Sequence, residues 1–112
     1  EALQASQVWS MDDLMAKGET VYNSNCAACH QQNGQGIPPA FPALKGSPIA
    51  VGAIEEHINI VVKGKPGTAM QAFAAQLSDV DLAAVITYER NAWGNNTGDS
   101  VSPQDIAKAK GN

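Results

Sequence analysis

Two cysteines, Cys26 and Cys29, lie three residues apart, and His30 follows the second directly. That spacing puts two thiols about one helical turn apart, with an imidazole locked beside the second. Two cysteines alone permit one disulfide, a metal site or the attachment of a cofactor, and their spacing has to decide. The rest of the chain must be built around whatever this short run holds.

The composition points to a core that the side chains do not fill alone. The 112 residues suit one small domain and are too few for two independent cores. Hydrophobic residues make up 44%, but 18 of them are Ala, and Leu, Ile, Val and Phe together number 22. An aliphatic set that thin borders on the composition of disordered chains. Charged residues are only 16%, too few to hold a chain expanded. The chain therefore folds, with something besides protein in the middle.

Partners are limited in the same way. Seven basic residues against eleven acidic ones, with no basic run and a net charge of −4, exclude a nucleic-acid binder. No apolar stretch approaches the ~18–20 residues of a membrane span. Residues 1–10 lack the charged-then-apolar order of a secretory signal. The expectation is a mature protein or a soluble piece of a larger one.

Helical signals dominate. Ser10-Met11-Asp12-Asp13 has the order of a capping box and predicts a helix that runs up to the cysteines, with Leu14, Val21 and Tyr22 on its apolar face. Gly18 precedes Tyr22 by one turn, which suits the close approach of another helix. Glycines and prolines from Asn33 to Pro48 predict an ordered loop. A second helix is predicted over Ala53–Lys63, with Ile54, Ile58, Val61 and Val62 buried and Gly64 as its stop. Lys65–Gln76 reads as a loop. Ser78-Asp79-Val80-Asp81 starts a third helix, with Leu82, Val85, Ile86 and Glu89 on one face, Tyr88 and Trp93 beside it, and Gly94 at its end. Residues 95–112 read as a polar tail, with a weak start at Pro103 and one apolar position at Ile106. No alternation of period two predicts a sheet.

Cys26-Ala27-Ala28-Cys29-His30 has the C-x-x-C-H pattern of a c-type haem attachment. Each thiol can form a thioether to one vinyl group of the porphyrin, and His30 is then held beneath the iron as an axial nitrogen ligand. A zinc site using Cys26, Cys29, His30 and His57 is the rival by count, but adjacent Cys and His sit awkwardly around one tetrahedral ion. A thioredoxin-like pair lacks its βαβ setting, and a plain disulfide is the remaining rival.

For the opposite face of the iron the candidates are Met11, Met15, His57 and Met70. Met11 and Met15 lie on the helix that ends at the cysteines and read as core. His57 falls one position off its helix's apolar stripe and reads as a rim residue. Met70 lies in a loop shaped by Pro66 and Gly67, 40 residues after His30, and is the expected sixth ligand. His/Met ligation raises the reduction potential and leaves no easily opened position, which favours electron transfer over oxygen chemistry.

These segments carry a family resemblance. Asn25–His30, Gly34–Gly46, Gly64–Met70 and the stretch from Leu77 through Tyr88 resemble a class I c-type cytochrome, and most nearly the cytochrome c domain at the C-terminus of subunit II of bacterial haem–copper oxidases. The likeness covers residues 11–94. It implies an all-α fold, three main helices and ordered loops wrapped around one covalent haem c. It also implies that Pro39 offers its carbonyl to the far nitrogen of His30, and that Phe41 and Leu44 line the haem wall. Gly18 and Tyr22 should meet Val85 and Tyr88. No copper ligands or membrane anchor precede Ser10, so the expectation is an excised domain, a free periplasmic carrier being the alternative. The implied division is a linker stump over 1–9, the cytochrome domain over 10–94 and the tail over 95–112.

The expected function is one-electron transfer from a donor cytochrome to an oxidase copper centre, at the periplasmic face of the bacterial inner membrane, by a domain that is monomeric in isolation. It is not expected to turn over a substrate of its own. A peroxidase or gas sensor with a labile sixth ligand is the alternative of a different class. Lys45, Lys63 and Lys65 fall near the expected front of the haem; they read first as solvated lysines and second as a docking patch.

Overall fold

In a computed structural model, residues 9–36, 43–64, 72, 73 and 76–111 are described. Among them every regular element is helical: α1 (Met11–Asn25), α2 (Ala27–His30), α3 (Pro48–Val51), α4 (Ile54–Lys63), α5 (Asp79–Asn91), a 3₁₀ turn (Ala92–Gly94) and α6 (Pro103–Ala109). The all-α expectation holds, as do the three main helices. The one-turn α3 begins at Pro48, inside the span read as loop; proline suits a helix's first turn because its missing N–H has no partner there anyway.

Serines start the long helices as their positions suggest. Ser10 Oγ accepts from Asp13 N at 3.1 Å, and Ser78 Oγ accepts from Asp81 N at 3.1 Å. Such a cap satisfies one of the amides a helix leaves free and contributes about 1 kcal/mol. Gly64 closes α4 with a φ of 73°, a conformation that favours glycine.

The centre of the fold is α5. Val80, Leu82, Ala83, Ala84, Val85, Ile86 and Thr87 are fully buried, so the helix is enclosed on most sides. α1 crosses it at Gly18, where a Cβ would collide with the Ala84 carbonyl and lie 2.6 Å from Tyr88 Cβ. The close crossing predicted from Gly18 is present, with Ala84 and Tyr88 as the partners of the glycine itself. Tyr22 meets the Tyr88 ring at a centroid separation of 5.6 Å.

Two readings are corrected. Residues 95–111 are not a tail. Val101 and Ile106 are fully buried in the core, and Val101 N donates to Thr87 Oγ1 at 2.9 Å. Ser102 and Asp105 close a reciprocal capping box on α6, and Lys110 Nζ reaches Asp79 Oδ1 at 2.6 Å. The polar composition hid the segment because two apolar side chains suffice to anchor it.

His57 is not a rim residue either; it is 2% exposed. It lies three residues after Ile54 and four before Val61, which places it on the buried face of α4. Its Nε2 lies 2.7 Å from Glu89 Oε1, and Arg90 Nη1 approaches Nδ1 at 3.5 Å. An arginine only donates, so Nδ1 accepts and Nε2–H donates to the carboxylate. Arg90 also forms a two-pronged pair with Asp99, at 2.7 and 2.9 Å, and donates to Gly52 O at 2.8 Å. This polar knot ties α4, α5 and the C-terminal segment together.

Candidate haem-binding site

The site begins where α1 runs out. Cys26 caps α1, its N–H donating to Tyr22 O at 2.8 Å, and it also starts α2. His30 N donates to Cys26 O at 3.0 Å and Gln31 N to Ala27 O at 2.8 Å, so residues 26–31 form a single α-turn. One turn is the geometry that brings positions 26, 29 and 30 to the same region of the backbone.

Cys26 is buried in an apolar cluster with Val21, Tyr22, Ile58, Val61, Val62, Phe73 and Leu82. Leu44, expected on the haem wall, is half-buried and packs against this cluster. Cys29 is placed in α2 by its backbone, and His30 is half-buried at the end of the turn. Pro39, Phe41 and Met70, together with Lys65, lie outside the described residues. Lys45 and Lys63 are both exposed.

These residues fit a covalent haem. A sulfur bonded to a vinyl carbon is at home among aliphatic side chains, where an ionised thiol is not. The cluster draws on α1, α4 and α5, so it offers an apolar wall beside Cys26. When bound, the haem supplies a one-electron iron couple and rigid apolar surface.

The chain after His30 is held unusually firmly. Gly36 N donates to His30 O at 2.8 Å, Tyr22 Oη to Gln31 O at 2.6 Å, and Trp93 Nε1 to Gln32 O at 2.7 Å. Burial, with Glu89 nearby, pushes the Tyr22 phenol well above its ordinary pKa, so it stays protonated and donating. Gln31 itself has φ 69° and ψ 157°, a region kept almost entirely for glycine and costing of order 1–3 kcal/mol for other residues. Trp93 also has a positive φ, 57°. Its ring lies against Gly34, where a Cβ would come within 2.6 Å, and beside Tyr22 and Tyr88, with centroids 5.1 and 5.5 Å away.

Sequence reasoning found the Cys-Cys-His run and the Tyr22 helix face but not this strap. A tryptophan just before the Gly94 stop was its only local sign. Asn95 strengthens the same corner: its side chain accepts from Gly46 N at 2.7 Å and donates to Glu89 O at 2.7 Å.

An all-α fold built on a one-turn Cys-x-x-Cys-His element defines a small covalent-haem domain. The family model of the cytochrome c oxidase, cbb3-type, subunit III matches residues 13–88, and the chain belongs to that family of c-type cytochromes. It is 40% identical over 93 residues to cytochrome c-552 of Thermus thermophilus, covering 71% of this chain and 70% of that protein. It is 35% identical over 103 residues to the cytochrome c subunit of the quinone alcohol dehydrogenase of Gluconobacter oxydans (strain 621H), covering 83% of this chain. A third relative is the cbb3-type cytochrome c oxidase subunit CcoP of Azospirillum brasilense, 32% identical over 84 residues and 70% of this chain. The chain spans only 22% of the alcohol dehydrogenase subunit and 28% of CcoP. Subunit II is not among these relatives, so the supported likeness is to c-type cytochromes and the cbb3-type domain. As a c-type cytochrome the chain carries covalent haem c and transfers electrons through it.

Proposed function

We propose that Cys26 and Cys29 carry the haem as thioethers, that His30 and Met70 are its axial ligands, and that the domain relays single electrons between two redox proteins without changing ligands. The observation that carries this reading is the single α-turn from Cys26 to His30, with Cys26 set in an apolar wall. The protein's part is to hold the imidazole still and to keep water from the iron. By the family resemblance, Pro39 would orient the far nitrogen of His30, and Phe41 with Leu44 would complete the wall.

The partners are a reduced donor on one side and a terminal acceptor on the other. The names of the relatives, a cbb3-type oxidase subunit and the cytochrome c subunit of an alcohol dehydrogenase (quinone), support a domain that works inside or beside a redox complex. The copper centre of an oxidase subunit II is the acceptor first expected, and an oxidase of the cbb3 type is now the better supported one. The location is extracytoplasmic, on the periplasmic face; among the described residues no helix is long and apolar enough to cross a membrane. The domain runs from residue 10 to about residue 110, because α6 belongs to its core.

Met70→Ala tests the ligand set. The variant should lose the sulfur-to-iron charge-transfer band, lower the potential and bind carbon monoxide or imidazole where the wild type does not. An unchanged band and potential would place the sixth ligand elsewhere.

A further inference from the structure

We propose that Tyr22 and Trp93 are positioning residues for the haem: their side-chain donors fix the two peptide carbonyls that follow His30, and through them the plane of its imidazole. This rests on the assignment of His30 as the axial ligand. An axial histidine can turn about its bond to iron, and what stops it is the protein around it. Here the backbone leaving His30 is held at three successive carbonyls: His30 O by Gly36 N at 2.8 Å, Gln31 O by Tyr22 Oη at 2.6 Å beside Gly34 N at 3.1 Å, and Gln32 O by Trp93 Nε1 at 2.7 Å.

The two side-chain donors come from distant parts of the chain, one on α1 and one after α5. Both are backed by rings: Tyr22, Tyr88 and Trp93 pack mutually with centroids 5.1–5.6 Å apart. Backbone strain falls at one end of each connection. Gln31, whose carbonyl Tyr22 holds, and Trp93, which holds the next carbonyl, are two of the three non-glycine residues with positive φ among the described residues. Strained conformations persist where the surroundings over-determine them, and they concentrate where geometry serves function.

A merely structural turn would need no such arrangement, since Gly34 N and Gly36 N already close it from within. Side-chain donors from two distant elements add control over the direction in which the chain leaves His30. A ligand held in one orientation through oxidation and reduction keeps the rearrangement on electron transfer small, which is what a carrier requires.

The test uses the holoprotein and its Tyr22→Phe and Trp93→Phe variants, each of which keeps a ring and removes a donor. Thr87→Val, which costs α5 a hydrogen bond outside the strap, serves as the destabilised control. Readouts are the electron paramagnetic resonance g values of the ferric low-spin haem and the paramagnetically shifted haem-methyl resonances, both set by the orientation of the axial imidazole. Tyr22→Phe and Trp93→Phe should each move the largest g value beyond its wild-type line width and change the spread of the methyl shifts. Thr87→Val should leave both as in the wild type. If both strap variants keep the wild-type spectra and lose only thermal stability, the residues are structural and the proposal falls. Should Tyr22→Phe fail to accumulate, Trp93→Phe decides alone. A wild-type protein with no histidine-ligated haem would instead overturn the ligand assignment, and the proposal with it.

Discussion

The two histidines of this chain sit in opposite kinds of environment. His57 is enclosed in a knot of side chains, one ring nitrogen 2.7 Å from Glu89 and the other facing Arg90. At His30 the backbone that follows is held, by Tyr22, Trp93 and Gly36. A histidine with both nitrogens committed to protein partners ties helices together and is not offered to iron. One placed on a pinned backbone can be aimed at a cofactor. The difference separates a stabilising histidine from a ligand more sharply than burial alone.

Variants of the knot should cost the most stability and the least spectroscopic change. Arg90→Leu takes the donors from His57 Nδ1, Gly52 O and Asp99, and buried acceptors left without a partner cost about 1–3 kcal/mol each, so a loss of about 2–4 kcal/mol is expected. Urea unfolding of the holoprotein should show that loss while the ferric haem spectrum stays as in the wild type. A shifted spectrum would mean that the two regions are not independent.

Glu89→Gln is the gentler version. The amide oxygen can still accept from His57, but the bond loses its charge, so a loss of about 1–2 kcal/mol is expected. Equal losses in Glu89→Gln and Arg90→Leu would show that the arginine's charge is not what holds the knot.

On the haem side, Gln31→Gly should raise stability by about 1 kcal/mol, as relief of the strained φ outweighs the added freedom of the unfolded chain. A loss of stability in thermal unfolding would show that Gln31 is not strained.

The smallest effect concerns acid. Hydrogen bonds from Arg90 hold the Asp99 carboxyl below its ordinary range. A depressed folded pKa gives stability that is complete above the unfolded value, about 3.9, and lost as pH falls through the folded one. The stability difference between wild type and Asp99→Asn should therefore be constant near neutrality and shrink below about pH 4. Asp99 is partly exposed and screened, so the difference should be modest, and a difference that grew on acidification would contradict the pairing.

How legible these features were depends on how local they are. Ser10 and Ser78 marked helix starts because a cap and its amide are three residues apart. Gly18 marked the helix crossing because only a residue without a side chain fits there. The Cys26–His30 run was legible because five consecutive residues carry its chemistry. The knot was not, since it joins residues 57, 89, 90 and 99 across the fold. The strap was hidden for another reason: its acceptors are backbone carbonyls, 9 and 61 residues from their donors, and a carbonyl has no letter of its own. α6 escaped because Val101 and Ile106 are too few to make a pattern.

A fold whose middle is not all protein requires the covalent haem. Intact mass of the purified chain, combined with a pyridine-haemochrome spectrum, tests it most directly. The account predicts a polypeptide heavier by one haem and a spectrum of two thioether links. Replacing Cys26 or Cys29 with Ala should shift that spectrum to a single link. A polypeptide at its bare mass with no haemochrome bands would contradict the assignment of Cys26, Cys29 and His30.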